Sequence, residues 1–463
     1  MPTLIPPLLQ RRSSDEYAPL PRSATDLRAI ARLAGRLPDA ARAVGLTEPD
    51  YAYDRRGTAA TLRAVDAAHG GGFFAVPVEA ETDLDAAAAA FRGDAPVIDV
   101  QTHLIDPSRW GGAGSQALAG FLKLVDAERW SDVDPSSIDG AAWASLVFGS
   151  SETAVALLTS TPGTPDRNVL SNPQIAAARD LVDRYAGTGR VLTHTIVHPN
   201  LGEEELDHMT AWREELSPSG WKCYTLWGPP TKAAPYGGWF LDDEEIGFPL
   251  LERVRALGPR VIATHKGISG PIPEASIEAA SPRDIGPAAV AFPDIDFVVY
   301  HSGYERDPDG QEGPYEPDGE ARGVDRLVRS LDAAGVGPGG NVYAELGTTW
   351  FLLLRRPAEA AHVLGKLLGA VGPDNILWGT DSVWYGSPQH LIDAFRAFQI
   401  PESYQERYGY PALSREVKDR IMSRNARAVY GVTDEQVAKA AADTPAWVAN
   451  AAPEVRNAVA AAR

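Results

Sequence analysis

The sequence predicts an α/β chain: a (β/α)8 TIM barrel with an N-terminal helical extension and long active-site loops. Three observations lead there. Eight short apolar, β-branched segments recur after residue 95, each followed by chain enough for a helix. From the third onward their starts fall 30 to 45 residues apart, the length of one strand, one crossover helix and two loops. Polar, chemistry-bearing residues gather at the C-terminal ends of these segments, the end on which such barrels build their sites.

In order, the strands are Val97-Ile98-Asp99-Val100, Ala154 to Leu158, Val191 to Val197, Trp221 to Thr225, Val261-Ile262-Ala263-Thr264, Phe297-Val298-Val299-Tyr300, Val342-Tyr343-Ala344-Glu345 and Ile376-Leu377-Trp378-Gly379. Near-continuous apolar runs suit strands buried on both faces of a parallel sheet. Residues 1–94 form the extension. Asp26 to Val44 reads as a helix broken at Pro38, Ala59 to Ala68 as a second, ended by Gly70-Gly71-Gly72, and Ala80 to Phe91 as a third, together an arm toward a partner subunit. The barrel spans 95–435, with Glu359 to Leu368 and Leu391 to Phe398 among its last helices, and 436–463 is a helical tail. Pro229 to Gly247, Gly267 to Pro287 and Gly303 to Gly323 are loops long enough to act as lids or binding loops.

The 463 residues are 44% hydrophobic and 23% charged, ample for a large core. With 43 Lys plus Arg against 62 Asp plus Glu, the net charge of −19 repels phosphate backbones and argues against nucleic acid as a partner. A single cysteine, Cys223, excludes a disulfide framework and a thiolate zinc knuckle. Met1 to Ser14 has no apolar stretch long enough for a signal-peptide core, and no segment reaches the length of a membrane span. The expectation is a cytoplasmic homodimer acting on a small molecule, with no membrane partner.

The first strand ends in Gln101 and His103, two residues apart and so on one face. The fourth carries Lys222, the fifth ends in His265, the sixth in His301, the seventh holds Glu345 and the eighth ends in Asp381. Imidazoles, carboxylates, a lysine and an amide converging on one barrel mouth point to a divalent-metal site, and nitrogen and oxygen donors without thiolate suit zinc, manganese or Fe(II). Each residue has a plainer role open to it: Asp381 as a helix N-cap, Glu345 as a buried ion-pair partner. His194 and His198 share a face of the third strand and favour structure, with His198 open to a pocket role; His69, His208, His362 and His390 read as structural. Cys223, next to inward-facing Lys222, points to the helix layer.

The strand-end series resembles the amidohydrolase superfamily of metal-dependent barrel enzymes, specifically its aminocarboxymuconate-semialdehyde-decarboxylase-like branch, over about residues 95–435. The segments that carry the resemblance are Ile98-Asp99-Val100-Gln101-Thr102-His103, Ala263-Thr264-His265-Lys266-Gly267, Tyr300-His301-Ser302-Gly303 and Gly379-Thr380-Asp381. It implies that His103 and His265 bind the metal, that Asp381 binds it and orients water, and that His301 is a ligand or the base. Gln101 stands where the usual motif has a first histidine, and an amide oxygen is a weaker ligand than imidazole. Lys222 takes the place of a lysine that some relatives carboxylate to bridge two metals; unmodified, it would hold an anionic substrate group. One ion is favoured, zinc first, with two if Lys222 is carboxylated.

That ligand set lowers the pKa of a bound water toward about 7. Asp381 or His301 then takes the proton and the base returns it to a leaving group, so hydrolysis of a C–N or C–O bond in a carboxylate- or ring-bearing molecule is the favoured reading. Non-oxidative decarboxylation of an unsaturated or aromatic acid is the alternative on the same site, and a non-catalytic binding barrel, with Gln101 marking a decayed site, the third reading. Lys222, Lys266 and Arg306 are candidates for a substrate carboxylate. Among the aromatics near strand ends (Trp110, Trp227, Tyr236, Trp239, Phe240, Tyr304, Trp350, Trp384, Tyr385), Trp384 and Tyr385 are the candidate substrate walls.

Overall fold

Val97–Thr102 (β1), Thr153–Leu158 (β2), Val191–Ile196 (β3), Gly220–Tyr224 (β4), Val261–His265 (β5), Asp296–Tyr300 (β6), Val342–Glu345 (β7) and Ile376–Leu377 (β8) pair in parallel in chain order. The computed structural model describes residues 4–462 apart from 110–112, 132, 164–167, 188, 229–231, 233, 235–236, 270–275, 306–310 and 443–444. Helices alternate with the strands, so the expected (β/α)8 barrel is the fold. Its near-closure between β8 and β1 runs through single contacts: the Val100 amide donates to the Trp378 carbonyl at 3.0 Å, the Asp381 amide to the Gln101 carbonyl at 2.8 Å. The eighth strand is shorter than expected because the Trp378 amide leaves the ladder for the Ile421 carbonyl.

The apolar runs are buried on both faces for the reason the parallel topology requires. On β2, Ala156 and Leu158 face the helix layer with Trp143, Ile175 and Leu181, while Val155 and Leu157 face the barrel interior with Ile98, Val261 and Val298. Cys223 lies in the outer cluster, inert as expected, with burial pushing its thiol up to about 11. Strand β1 breaks simple alternation. Ile98 and Val100 pack in the interior, yet Gln101 and His103 also reach the mouth, because the β1–β2 ladder shifts register between Asp99 and Thr102.

The extension forms helices Ala24–Ala34, Leu37–Ala43, Glu48–Tyr53, Arg55–Ala68 and Leu84–Ala90. The first starts on a capping box between Ser23 and Asp26. Pro38 does not end a helix but sits in the first turn of the second one, where its missing N–H costs nothing. The extension packs on its own barrel. Leu33, Leu37, Leu62 and Val65 join one core cluster with Trp378, Phe395 and Phe398, and the Ala75 amide donates to Ala397 at 2.9 Å. In the tail, Val448–Ala461 packs Val455 and Val459 against the Trp143 cluster. Among the described residues no helix is long and apolar enough to cross a membrane.

Of the histidines read as structural, His390 is the most informative. Burial pushes its imidazole down to about 4, and its Nδ1 lies 2.9 Å from the Thr58 hydroxyl. An unfolded histidine titrates near 6.5. Between pH 6.5 and 4 the unfolded chain therefore takes up a proton that folded His390 refuses, and its contribution to stability is lost as pH falls through that window. The unfolding free-energy difference between wild type and His390→Gln should accordingly shrink between pH 7 and 4.5 in urea titrations; a difference constant with pH would contradict this account.

Candidate metal centre

The C-terminal ends of β1, β5, β6, β7 and β8 place Gln101, His103, His265, His301, Glu345 and Asp381 at one end of the barrel, all fully buried. Backbone carbonyls fix two of the rings. His103 Nδ1 lies 3.0 Å from the Thr159 carbonyl and His301 Nδ1 2.7 Å from the Gly347 carbonyl, so each carries its proton on Nδ1 toward the carbonyl and turns Nε2 to the centre. Metal-binding histidines are oriented in the same way. His103 Nε2 is 2.9 Å from Asp381 Oδ1, Gln101 Nε2 is 3.3 Å from the same oxygen, and the His265 and His301 rings stand 4.7 Å apart. The structure thus brings the expected residues together in two sets, Gln101 and His103 with Asp381, and His265 with His301.

Asp381 is not a helix N-cap. Its backbone is left-handed (φ 58°), as are His301 (64°), Ser302 (56°) and Thr348 (54°), four of the six such non-glycine residues described. Strain of this kind persists where surrounding contacts over-determine it, and it gathers at functional sites. Glu345 supplies much of that constraint. Its carboxylate accepts from the His301 amide at 3.1 Å and from the Gly347 amide, and its carbonyl accepts from the Ser302 hydroxyl at 2.7 Å. Burial pushes Glu345 up to about 7. It is a positioning residue, the partner of two backbone amides rather than of a barrel Arg or Lys.

The mouth also holds residues for which the sequence predicts no element. Residues 13–17 thread into it, with Ser13, Ser14 and Glu16 fully buried and Tyr17 and Asp15 nearly so. Glu16 Oε1 is 3.0 Å from His265 Nδ1 and Oε2 is 3.0 Å from His301 Nε2. Arg129 pins the segment, donating to the Ser13 carbonyl at 2.9 Å and to the Trp384 carbonyl. Burial alone would raise Glu16, but His301 and His265 hold it well below the usual carboxylate range. Asp15 is pushed well above that range by burial and by the charges of Glu16 and Asp381. For His301 burial lowers the pKa, yet the carboxylates of Glu16, Glu345 and Asp381 prevail and raise it to about 9. The one signal available in the sequence was that Asp15 and Glu16 are the only carboxylates among the first 25 residues.

Lys222 points inward as expected, its Nζ 3.3 Å from the centre of the Tyr300 ring and 4.7 Å from that of Tyr224, and burial pushes it down to about 8. Trp384 lies beside His103, with ring centres 6.5 Å apart, and the Tyr385 hydroxyl is 2.6 Å from that of Thr348, which also donates to Asp381 Oδ2. Other candidates fall elsewhere. Lys266 is committed to Asp284 at 2.8 Å, Tyr304 to Glu359 at 3.0 Å, and Trp350 to the Leu391 carbonyl at 3.0 Å. Trp239 is buried in the outer core cluster and Phe240 in a small cluster with Ala234 and Ala279. His194 is held between the hydroxyls of Tyr300 and Tyr430 at 3.2 and 3.1 Å, a structural role as expected. His198 lines a separate cavity with Asn172, Glu205 and Trp212. Arg306, Trp110 and Tyr236 lie outside the described residues.

The donor set fits a divalent cation. Ligand atoms of Glu16, His265 and His301 lie within 4.8 Å of one another, as do those of Asp15, Glu16 and Asp381. Gln101 Oε1, His265 Nε2, His301 Nε2, Glu16 Oε2 and Lys222 Nζ are buried here without a directed hydrogen bond. Orphaned polar atoms of both signs at one point, with nitrogen and oxygen donors and no thiolate, are what a zinc or manganese ion with its water would satisfy.

A family model described as amidohydrolase matches residues 98–432. No curated protein matches the chain. Solved structures similar to it include a TIM-barrel protein from Bordetella bronchiseptica (13% identity, 72% of this chain and 100% of that one, TM-score 0.39). A 2,6-dihydroxybenzoate decarboxylase from Rhizobium is similar at 13% identity over 73% of this chain and 99% of that one, with a TM-score of 0.39. A 5-carboxyvanillate decarboxylase from Novosphingobium aromaticivorans, complexed with manganese, is similar at 13% over 73% and 97%, also with a TM-score of 0.39. The family match spans the barrel from β1 to beyond β8, whereas the structural likenesses are too distant to bear on activity.

The role given to Glu345 is open to measurement. Glu345→Ala leaves two buried amides without an acceptor, at about 1–3 kcal/mol each. Denaturant unfolding should show a loss of about 2–5 kcal/mol for Glu345→Ala and a smaller one for Glu345→Gln, which keeps one acceptor oxygen. An alanine variant within about 0.5 kcal/mol of wild type, the scale of a neutral surface change, would contradict it.

Proposed function

This chain belongs to the amidohydrolase family of metal-dependent enzymes, and from that premise we propose that it is a decarboxylase of a small aromatic or unsaturated carboxylic acid. The observation that carries the reading is the fully buried set His103, His265, His301 and Asp381 at the barrel mouth, walled by Tyr224, Tyr300, Trp384 and Tyr385 and backed by Lys222. Hydrolysis, favoured from the sequence, would use the same strand-end residues. The flat aromatic walls and the inward-facing Lys222 favour an aromatic or unsaturated acid instead.

His103, His265 and Asp381 would hold the ion, which when bound supplies the positive charge that fixes the substrate's carboxylate in a site shielded from water. Lys222 faces the same space as a second cationic contact, with its Nζ over the Tyr300 ring. His301 carries the proton. Its Nδ1 is committed to the Gly347 carbonyl, so Nε2 is the nitrogen that faces the centre. As the bond between substrate carbon and carboxylate breaks, the electron pair stays on that carbon and takes the Nε2 proton, and CO2 leaves; solvent then reprotonates His301. Zinc and manganese both suit the donors.

Elemental analysis of protein purified without chelators should give about one divalent ion per chain, lost in His265→Ala and in Asp381→Ala. In a screen of hydroxylated benzoates and unsaturated acids, CO2 should be released, and His301→Gln should keep its metal while losing at least 100-fold in turnover. Protein that binds no metal after supplementation would overturn the reading. Release of amine or alcohol without CO2 would return the site to hydrolysis.

A further inference from the structure

The family ligand set is short of one charged or imidazole donor here, because Gln101 brings a neutral amide. The N-terminal segment brings a carboxylate to the same place. Resting on the metal-dependent reading above, we propose that Glu16 is a metal ligand supplied by the N-terminal segment, completing the set His103, His265 and Asp381 in place of the absent first-strand histidine.

Three observations converge on Glu16. It is fully buried, and its oxygens lie 3.0 Å from His265 Nδ1 and 3.0 Å from His301 Nε2, the latter without a directed hydrogen bond. Its ligand atom is within 4.8 Å of those of Asp381 and Asp15, and all three carboxylates are buried. Like charges at that separation away from water call for a cation between or beside them. A divalent ion there would meet both carboxylates. The segment is built to stay. Glu16 N donates to Ser14 Oγ at 3.0 Å, and Arg129 holds the Ser13 carbonyl. Gln101 turns its Nε2 toward Asp381 at 3.3 Å, and its Oε1 lies 2.0 Å from where a Cβ on Gly347 would stand.

The experiment is chelator-competition titration of Mn2+ and Zn2+ into wild type, Glu16→Gln, Glu16→Asp and His265→Ala, with the visible spectrum of each Co2+-loaded protein. Thermal unfolding of the metal-free proteins shows whether each variant folds, and Glu16→Asp keeps the test alive if Glu16→Gln does not. The proposal expects Glu16→Gln to lose 100-fold or more in affinity with an altered Co2+ spectrum, and Glu16→Asp to recover part of both. A loss of 10- to 100-fold with an unchanged spectrum would make Glu16 an orienting partner of His265 and overturn the proposal. So would affinity within threefold of wild type while His265→Ala loses the metal, an outcome that spares the metal-dependent reading. No binding in wild type would overturn both.

Discussion

A fully buried carboxylate held between two imidazoles in the barrel mouth is the contact on which the rest of this structure turns. Glu16 touches His265 at the end of β5 and His301 just beyond β6, and it does so from a segment about 250 residues away in the chain. Removing such charges from water costs several kcal/mol per ion, returned only if the geometry is good and the surrounding charge closes toward neutrality. Much of the nearby architecture serves that condition. Backbone carbonyls of Thr159 and Gly347 turn two imidazoles inward, Glu345 holds the left-handed turn at His301 and Ser302, and Arg129 fastens residues 13–17 over the top.

The metal-binding chemistry and the N-terminal extension are therefore one physical problem. Residues 13–17 are buried against the strand-end residues, so the site lies in a low-dielectric pocket where each charge counts for more.

The barrel was legible in the sequence because parallel strands buried on both faces leave a dense apolar signature at a regular spacing, and because strand ends are where ligands must stand. That is why the sequence places His103, His265, His301 and Asp381 at one end of the barrel, where the structure has them. Glu345 was found as a site residue but not in its role, since acceptance from two backbone amides depends on a left-handed turn that no side-chain pattern reports. The glycines that make room for it, Gly379 with a Cβ position 1.8 Å from Glu345 Oε1 and Gly347 close to Gln101, acquire meaning only in three dimensions. Asp15 and Glu16 were missed altogether. An extended segment has no periodicity, and its partners lie hundreds of residues away. Lys266 and Trp350 were drawn toward the site by proximity in sequence, whereas side-chain direction sends them to Asp284 and to the outer core.

Anomalous diffraction from crystals of the manganese- or zinc-loaded protein, collected at the metal edge, would locate the ion relative to Glu16 without recourse to any variant. A single strong peak is expected within coordination distance of Glu16, His265 and Asp381, with the N-terminal segment still seated in the mouth. A peak elsewhere, or no peak while Glu16 remains bonded only to His265 and His301, would contradict a metal-binding role for this carboxylate.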